Sequence, residues 1–355
     1  MKKSPQDTHT EHIDNKGIMG ESITEDRERP KKTADTPMRR SRNSPIVTTI
    51  NQEWMLDDGP FRLHKHQRKI LNHVFRKRSP KSGVKGSLPY RTAIYSCPKK
   101  SGKTEVSAAV AWAWAVNYGG LVLSVANDKD QATNNMFSRI LAYTRRLEKH
   151  DRDRYHQLVG RRTADTIEFL DRPGIPATTI RAIPCDPYGE AGHELLSLVC
   201  YDELWAYGRS DITWRLWTEL QPIPTLEHSM RWVTTYAGFY GESEVLYSVF
   251  EQACKPDPQN PDLFNGHTPP DLEGLPCYAE ESLFAYWDRK PRMPWHTPEF
   301  LQQAKDDPVN KLRPAEFKRL WENGWSTGLD AFLDIEILDQ LIDQGQQRGL
   351  HNHYP

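Results

Sequence analysis

The chain has 355 residues, of which 37% are hydrophobic and 27% charged, and its formal net charge is -1. That is room for one large domain plus appendages, without the overall positive excess of a protein that passively coats nucleic acid, so any DNA contact must come from a local basic surface. Five cysteines, an odd number with no CxxC pair, argue against a zinc ribbon or disulfide framework, and no apolar run approaches the ~18 residues of a membrane span or forms a secretory signal, so a cytoplasmic protein is expected.

Residues 1–45 are polar, mixed in charge and almost free of aromatics. Such a stretch cannot bury enough apolar surface to offset its ordering entropy and is expected to be a disordered tail, with Arg39, Arg40 and Arg42 as a solvated charge run. From Ile46 the sequence becomes structured. The stretch 61–77 is expected to form an amphipathic helix with Leu63, Ile70, Leu71, Val74 and Phe75 on its apolar side. A Gly/Ser/Lys loop leads into a strand at 91–96, the segment CPKKSGKT, and a helix over 104–117 that stops at Gly119-Gly120. LVLSVA (121–126) has the composition of a buried strand, and 128–149 of a further helix. Two strands, 166–170 and 178–183, flank the turn Asp171-Arg172-Pro173-Gly174. LLSLVCY (195–201) is a second buried strand and ends on Asp202-Glu203. A helix over 214–220 and a strand over 230–236 complete the alternation, and the proline-rich stretch 256–298 is expected to be irregular connection and lid. Strands separated by helices imply an α/β fold with a mainly parallel sheet flanked by helices, with ligands at the strand C-termini.

The sharpest chemical signal is Pro98-Lys99-Lys100-Ser101-Gly102-Lys103-Thr104, between a strand and a helix. Backbone N–H groups of such a loop, backed by a helix N-terminus, suit phosphate oxygens; Lys103 would reach the β/γ-phosphates of a nucleotide and Thr104 would bind Mg²⁺. The full phosphate-loop pattern has Gly six residues before the lysine, where this chain has Cys97, so the loop alone leaves a chance GKT open. The second signal is the apolar strand ending in Asp202-Glu203. Asp202 would hold the Mg²⁺ shell and Glu203 would orient and deprotonate an attacking water. Both signals occur in the required order, each at a strand end.

With these residues the chain resembles the large subunits of phage terminases, the motors that package viral DNA. PKKSGKT is similar to their lysine-rich phosphate loop, which often lacks the first glycine. LVLSVAN with Asp130-Gln131-Ala132, Gly192 ahead of LLSLVCYDELW, Val233-Thr234-Thr235-Tyr236-Ala237-Gly238, and Glu316-Phe317-Lys318-Arg319 with Asn323 and Trp325 resemble further family segments in order, over about residues 60–335. The resemblance implies a RecA-like P-loop NTPase fold of the ASCE class over residues 46–330, with lid and linker elements from about 256. It implies ATP and Mg²⁺ as cofactors, and it makes Gln67 the adenine reader and Thr234 and Thr235 the pair that couples hydrolysis to DNA movement. It also implies double-stranded DNA, a portal protein and a terminase small subunit as partners, and a homo-oligomeric ring docked on the procapsid in the host cytoplasm. Where many members carry an arginine in the loop, this chain has Lys99. Either Lys99 serves, or an arginine of a neighbouring subunit completes the site, with Arg139 and Arg145 as candidates. Residues 331–355 look like the entry to a nuclease domain, and no DNA cleavage is expected of the chain. Its acids Asp330, Asp334, Glu336 and Asp339 fit a solvated helix face, and His351 and His353 a tail.

Two other readings remain at this level. A helicase-like remodelling ATPase would need a second RecA-like lobe beyond residue 260. A non-catalytic remnant that only binds DNA or a partner would have no use for Lys103, Thr104, Asp202 and Glu203 together.

Overall fold

The computed structural model describes residues 43–77, 87–126, 135–185, 196–207, 211–254, 264, 267–307, 309, 312–328 and 341–344. The expectations for residues 1–42, for Asp130-Gln131-Ala132, Gly192, Asp330, Asp334, Glu336 and Asp339, and for His351 and His353 lie outside the described residues. The first helix, α1 (Pro45–Glu53), is capped by Ser44, whose hydroxyl accepts from the Val47 amide. A two-residue hairpin, β1 (Met55–Leu56) and β2 (Gly59–Pro60), precedes α2 (Lys65–Val74). That helix starts later than its sequence suggests. Gln67 accepts from the His64 backbone N–H at 3.0 Å in a capping box and so fixes the first turn there. Leu63, Ile70, Leu71, Val74 and Phe75 are all buried, as their spacing requires.

The central unit is β3 (Thr92–Ser96), α3 (Lys103–Asn117) and β4 (Gly120–Ala126). Helix α3 is buried almost all round, over residues 106–115, because it lies between the sheet and other helices. Trp112 and Trp114 leave it in different directions. Trp112 packs on Tyr143 and Phe169, whereas Trp114 meets Phe75 and donates to the Ser197 hydroxyl at 3.1 Å. At the helix end Gly119 has φ +70°, and a Cβ there would lie 2.7 Å from both Ile175 Cγ2 and the Pro176 carbonyl oxygen. Gly119→Ala is therefore expected to cost about 1–3 kcal/mol of stability, measurable by urea unfolding; an unchanged midpoint would show that the β4 entrance relaxes freely.

Next come α4 (Met136–His150), α5 (Arg152–Leu158), β5 (Val159–Arg162), β6 (Thr166–Phe169), β7 (Thr178–Pro184) and β8 (Leu196–Asp202). They are followed by α6 (Asp211–Glu219), β9 (Met230–Thr235), β10 (Phe239–Tyr240), α7 (Glu244–Ala253), β11 (Cys277–Glu280), β12 (Leu283–Trp287), α8 (Pro298–Asp306), α9 (Pro314–Trp321) and β13 (Ser326–Thr327). Nine strands form one sheet in the order β11-β12-β3-β9-β8-β4-β7-β6-β5. The six from β12 to β7 are mutually parallel, and the antiparallel β11 and β6–β5 close the two edges. The stretch 256–298 is thus not simply irregular. Its prolines punctuate it, but the apolar LFAYW between them pairs in parallel with β3, and CYAE folds back on it.

The central strands are apolar on both faces, as strands covered by helices on both sides must be. Ala93 and Tyr95 of β3, Leu198 and Cys200 of β8, and Trp232 of β9 enter the core shared with α1–α4. The alternate residues Ile94, Val199, Tyr201 and Val233 enter a second core with Leu216 of α6 and Val245, Leu246 and Val249 of α7. The parallel direction brings the carboxyl ends of β3, β9 and β8 to one edge, where the polar residues 96–104, 202–203 and 234–236 collect.

Candidate functional site

The loop leaving β3 makes its turn at two left-handed positions, Lys100 (φ 65°) and Gly102 (φ 75°), and Gly102 is the N-cap of α3. Cys97, which stands where the usual pattern has glycine, is not among the positive-φ residues, so this backbone does not need a glycine there. Burial pushes its thiol up to about 11, so it is a neutral packing group at ordinary pH. The loop is braced from three directions. Its Lys99 N–H donates to the Leu320 carbonyl at 2.6 Å, the Gln67 amide donates to the Ser101 carbonyl at 3.3 Å, and the Trp295 indole N–H donates to the Lys100 carbonyl at 2.9 Å. Gln67 is only 1% exposed, which rules out a solvent-facing residue, and both ends of its amide are engaged within the protein.

Lys103 is 5% exposed and donates to the Cys97 and Pro98 carbonyls at 3.1 and 3.4 Å, with its ammonium 4.6 Å from the centre of the Tyr236 ring. Asp202, at the end of β8, is 4% exposed. Its Oδ1 accepts from the Thr234 hydroxyl at 3.0 Å, and its Oδ2 is buried without a hydrogen-bond partner. Burial raises the Asp202 pKa, opposed by the Thr234 hydroxyl, the Lys103 charge and the Thr104 hydroxyl. The phosphate-loop lysine and threonine and the strand-end aspartate are therefore one cluster.

Glu203 follows in a left-handed conformation (φ 56°), strained for a side chain of this size, and its N–H donates to the Thr234 carbonyl at 2.8 Å. Its carboxylate Oε2 accepts from the Trp205 indole at 2.8 Å. Burial lifts its pKa from 4.5 to about 7, against the pull of Lys103 and with the push of Asp202. Because the folded pKa is raised, the unfolded chain loses this proton first. The cost of burying this carboxyl therefore grows as pH rises from 4.5 to about 7 and is constant above that. Glu203→Gln is expected to flatten most of that slope and to stabilise the protein above pH 7 by on the order of 2 kcal/mol, while Asp202, shifted in the same direction, leaves a remainder. Urea unfolding across this range without nucleotide or magnesium checks it; a variant as pH-sensitive as the parent would mean that Glu203 ionises freely.

Thr234 and Thr235 are fully buried at the end of β9, between the phosphate-loop strand and the acidic strand. Thr235 accepts from the Trp205 N–H at 3.3 Å and donates to the Tyr236 carbonyl at 2.9 Å, and its own carbonyl accepts from Cys97 N–H at 3.4 Å. The pair thus touches both chemical loops. Behind it Asn323, itself at φ 47°, accepts from the Ala237 N–H at 2.7 Å and donates to the Ser96 hydroxyl at 2.9 Å and the Asp288 carbonyl at 3.0 Å.

The resulting cleft has a volume of about 380 Å³ and is lined by residues 99–105, Arg139, Glu203, Tyr236 and Trp295. Arg139 faces the cleft of its own chain, 3.9 Å from Glu105, while Arg145, on the same helix, is exposed and is not among the cleft residues. Trp295 has no spacing signal that marks it, and Arg319, which lies behind the cleft wall 5.1 Å from the Tyr236 ring, is marked only as part of the segment 316–319. Trp295 comes from the proline-rich stretch and is 48% exposed, a large aromatic held at a polar rim. No group of three or more His, Cys, Asp or Glu forms a metal cage among the described residues. A single carboxylate with a buried, unpaired oxygen beside a threonine hydroxyl fits Mg²⁺, which retains several waters and takes further ligands from phosphate.

No family model matches the sequence, and no curated protein matches it. Solved structures do match. The HK97 bacteriophage large terminase superposes with a TM-score of 0.50 at 15% identity, over 80% of this chain and 55% of that one. The ATPase domain of a Thermus phage large terminase gives 0.48 at 14% identity, over 74% of this chain and 94% of that one. The large terminase of a further, thermophilic bacteriophage gives 0.46 at 12% identity, over 75% and 54%. The chain spans about half the length of the HK97 protein. Its nine-stranded, mostly parallel sheet, with the loop, helix and acids at one edge, has the RecA-like P-loop fold of the phage large terminases.

Proposed function

We propose that this chain is an ATP hydrolase and the motor portion of a terminase that moves double-stranded DNA into a procapsid. The observation that carries the reading is the meeting of Lys103, Thr104 and Glu203 in one cleft at the start of α3, with Asp202 buried beside them and within reach of Lys103 and Thr104. The N–H groups of residues 100–104 cradle the phosphates, that of Lys99 being held by the Leu320 carbonyl, and Lys103 turns from the loop carbonyls to the β/γ-phosphate oxygens. Thr104 and Asp202 would hold Mg²⁺, which would supply neutralisation of the phosphate charge. Glu203 accepts a proton from the attacking water as its oxygen bonds to the γ-phosphorus, and the bond to the bridging oxygen breaks to leave ADP and phosphate. Lys99 and Arg139, both lining the cleft, supply further positive charge to the leaving and transferring groups. Gln67 acts by bracing the loop, and its role towards the adenine passes through that brace.

Thr234 and Thr235 are the coupling pair, because they contact Asp202, Glu203 and Trp205, so that a displacement of those residues on loss of the γ-phosphate would reach β9 directly. DNA, a portal protein, a terminase small subunit and a ring of like chains docked on a procapsid in the host cytoplasm are the partners and setting that this reading requires. No helix among the described residues is long and apolar enough to cross a membrane. The deciding measurement is steady-state phosphate release from MgATP with and without double-stranded DNA. Turnover stimulated by DNA supports the motor, and an inability to hydrolyse any nucleoside triphosphate would sink it.

A further inference from the structure

Arg319 is the most unusual charge outside the phosphate site. It sits on α9 and is only 4% exposed. Its guanidinium carbon lies 4.0 Å from the centre of the Trp205 ring, 4.6 Å from Phe239 and 5.1 Å from Tyr236. Two of its nitrogens, Nε and Nη1, are buried without a hydrogen bond, and its ion pair is a loose one, 3.9 Å to Glu316. Burying a guanidinium among rings with so little compensation costs free energy relative to an apolar residue of the same volume. Packing alone would be served better by methionine or leucine.

The rings it holds are not neutral bystanders. Trp205 donates its indole N–H to the Glu203 carboxylate at 2.8 Å. Its ring stacks on Tyr236 at 5.5 Å, its carbonyl accepts from the Ser243 hydroxyl at 2.6 Å, and its backbone N–H is bound by Thr235. Arg319 is also close enough for its charge to act on Glu203, alongside Lys103 from α3 and Asp202 from β8. The next residue of α9, Leu320, accepts the hydrogen bond from Lys99 in the phosphate loop. One turn of helix therefore touches the loop that would grip phosphate and the indole that orients the base.

We propose that Arg319 and Trp205 form a positioning pair for hydrolysis, in which the cation stacked on the indole holds its N–H on Glu203 and so aims the carboxylate. Neither residue lines the cleft. The proposal rests on the ATPase reading above and adds to it a route by which α9 controls the reaction.

The test uses the full chain with MgATP and three variants. Trp205→Phe keeps an aromatic face for the stack and removes the indole N–H with its five-membered ring; Arg319→Met removes the charge at similar volume; Arg319→Lys restores a cation without the planar fork. Trp205→Phe and Arg319→Met are expected to lower kcat roughly 10- to 100-fold, the worth of a hydrogen bond to a charged group. KM for ATP and the affinity for a non-hydrolysable ATP analogue should stay near the parent values, and Arg319→Lys should recover part of the loss. Parent-like kcat in Trp205→Phe, or loss of kcat only in step with loss of nucleotide affinity, overturns the pair. If Arg319→Met does not fold, Trp205→Phe decides alone. A parent chain without any turnover overturns the ATPase reading itself, whereas an active parent with equally active variants overturns only the pair.

Discussion

Lys103→Ala is expected to remove nucleotide binding and to lower kcat/KM at least about a hundredfold, the scale of losing one preorganised charge-stabilising donor. The lysine is buried, anchored on the Cys97 and Pro98 carbonyls, and is the cation whose charge offsets both Asp202 and Glu203. Alanine would delete the proposed contact to the β/γ-phosphates and would also push both acids further towards their protonated forms. The proposed metal-binding carboxylate and the proposed base would both be impaired by one substitution, so the loss should exceed that of a simple surface contact. Equilibrium binding of a fluorescent ATP analogue, together with phosphate release, checks the two parts separately. Parent-like affinity in the variant would move the triphosphate away from this loop.

Glu203→Gln is expected to behave differently. The amide oxygen still accepts the Trp205 N–H, Asp202 and Thr104 are untouched, and so ATP should bind as in the parent. Without a proton acceptor, hydrolysis should slow by roughly 10²–10⁴, the usual contribution of a positioned general base. Single-turnover hydrolysis beside analogue binding separates the two effects. Full turnover in this variant would take Glu203 out of the mechanism. The same substitution is expected to stabilise the folded protein above pH 7, so activity and stability should move in opposite directions, as is common where a site holds strain and buried charge.

Much of the architecture was legible because the central elements obey local rules. The buried strands at 120–126 and 196–202, the helix that stops at Gly119 and the acids at a strand end are signals that tertiary context reinforces. The boundaries shifted where a side chain intervened, as with the Gln67 cap that delays α2 to Lys65. The hairpin β11–β12 was missed because prolines dominate the composition around it, while pairing with β3 is a long-range fact that no local window contains. The site divides in the same way. Lys103, Thr104, Asp202 and Glu203 follow a spaced pattern. Trp295, Arg139 and Arg319 reach the cleft or its wall from distant segments, and their chemistry depends on a neighbour's ring or carbonyl. Gln67 was assigned from a resemblance, and its observed partners are the His64 N–H and the Ser101 carbonyl.

Asn323 ties together the ends of three neighbouring strands, through Ser96 at the end of β3, Ala237 after β9 and Asp288 after β12. One carboxamide in a left-handed bend thereby acts as a crossbar on that rim of the sheet. With the rim pinned, a displacement at one of these strand ends is shared with the other two rather than lost as sliding between neighbours. In the proposed motor, a displacement driven by phosphate loss would therefore reach residues 314–327 as a tilt of the whole rim.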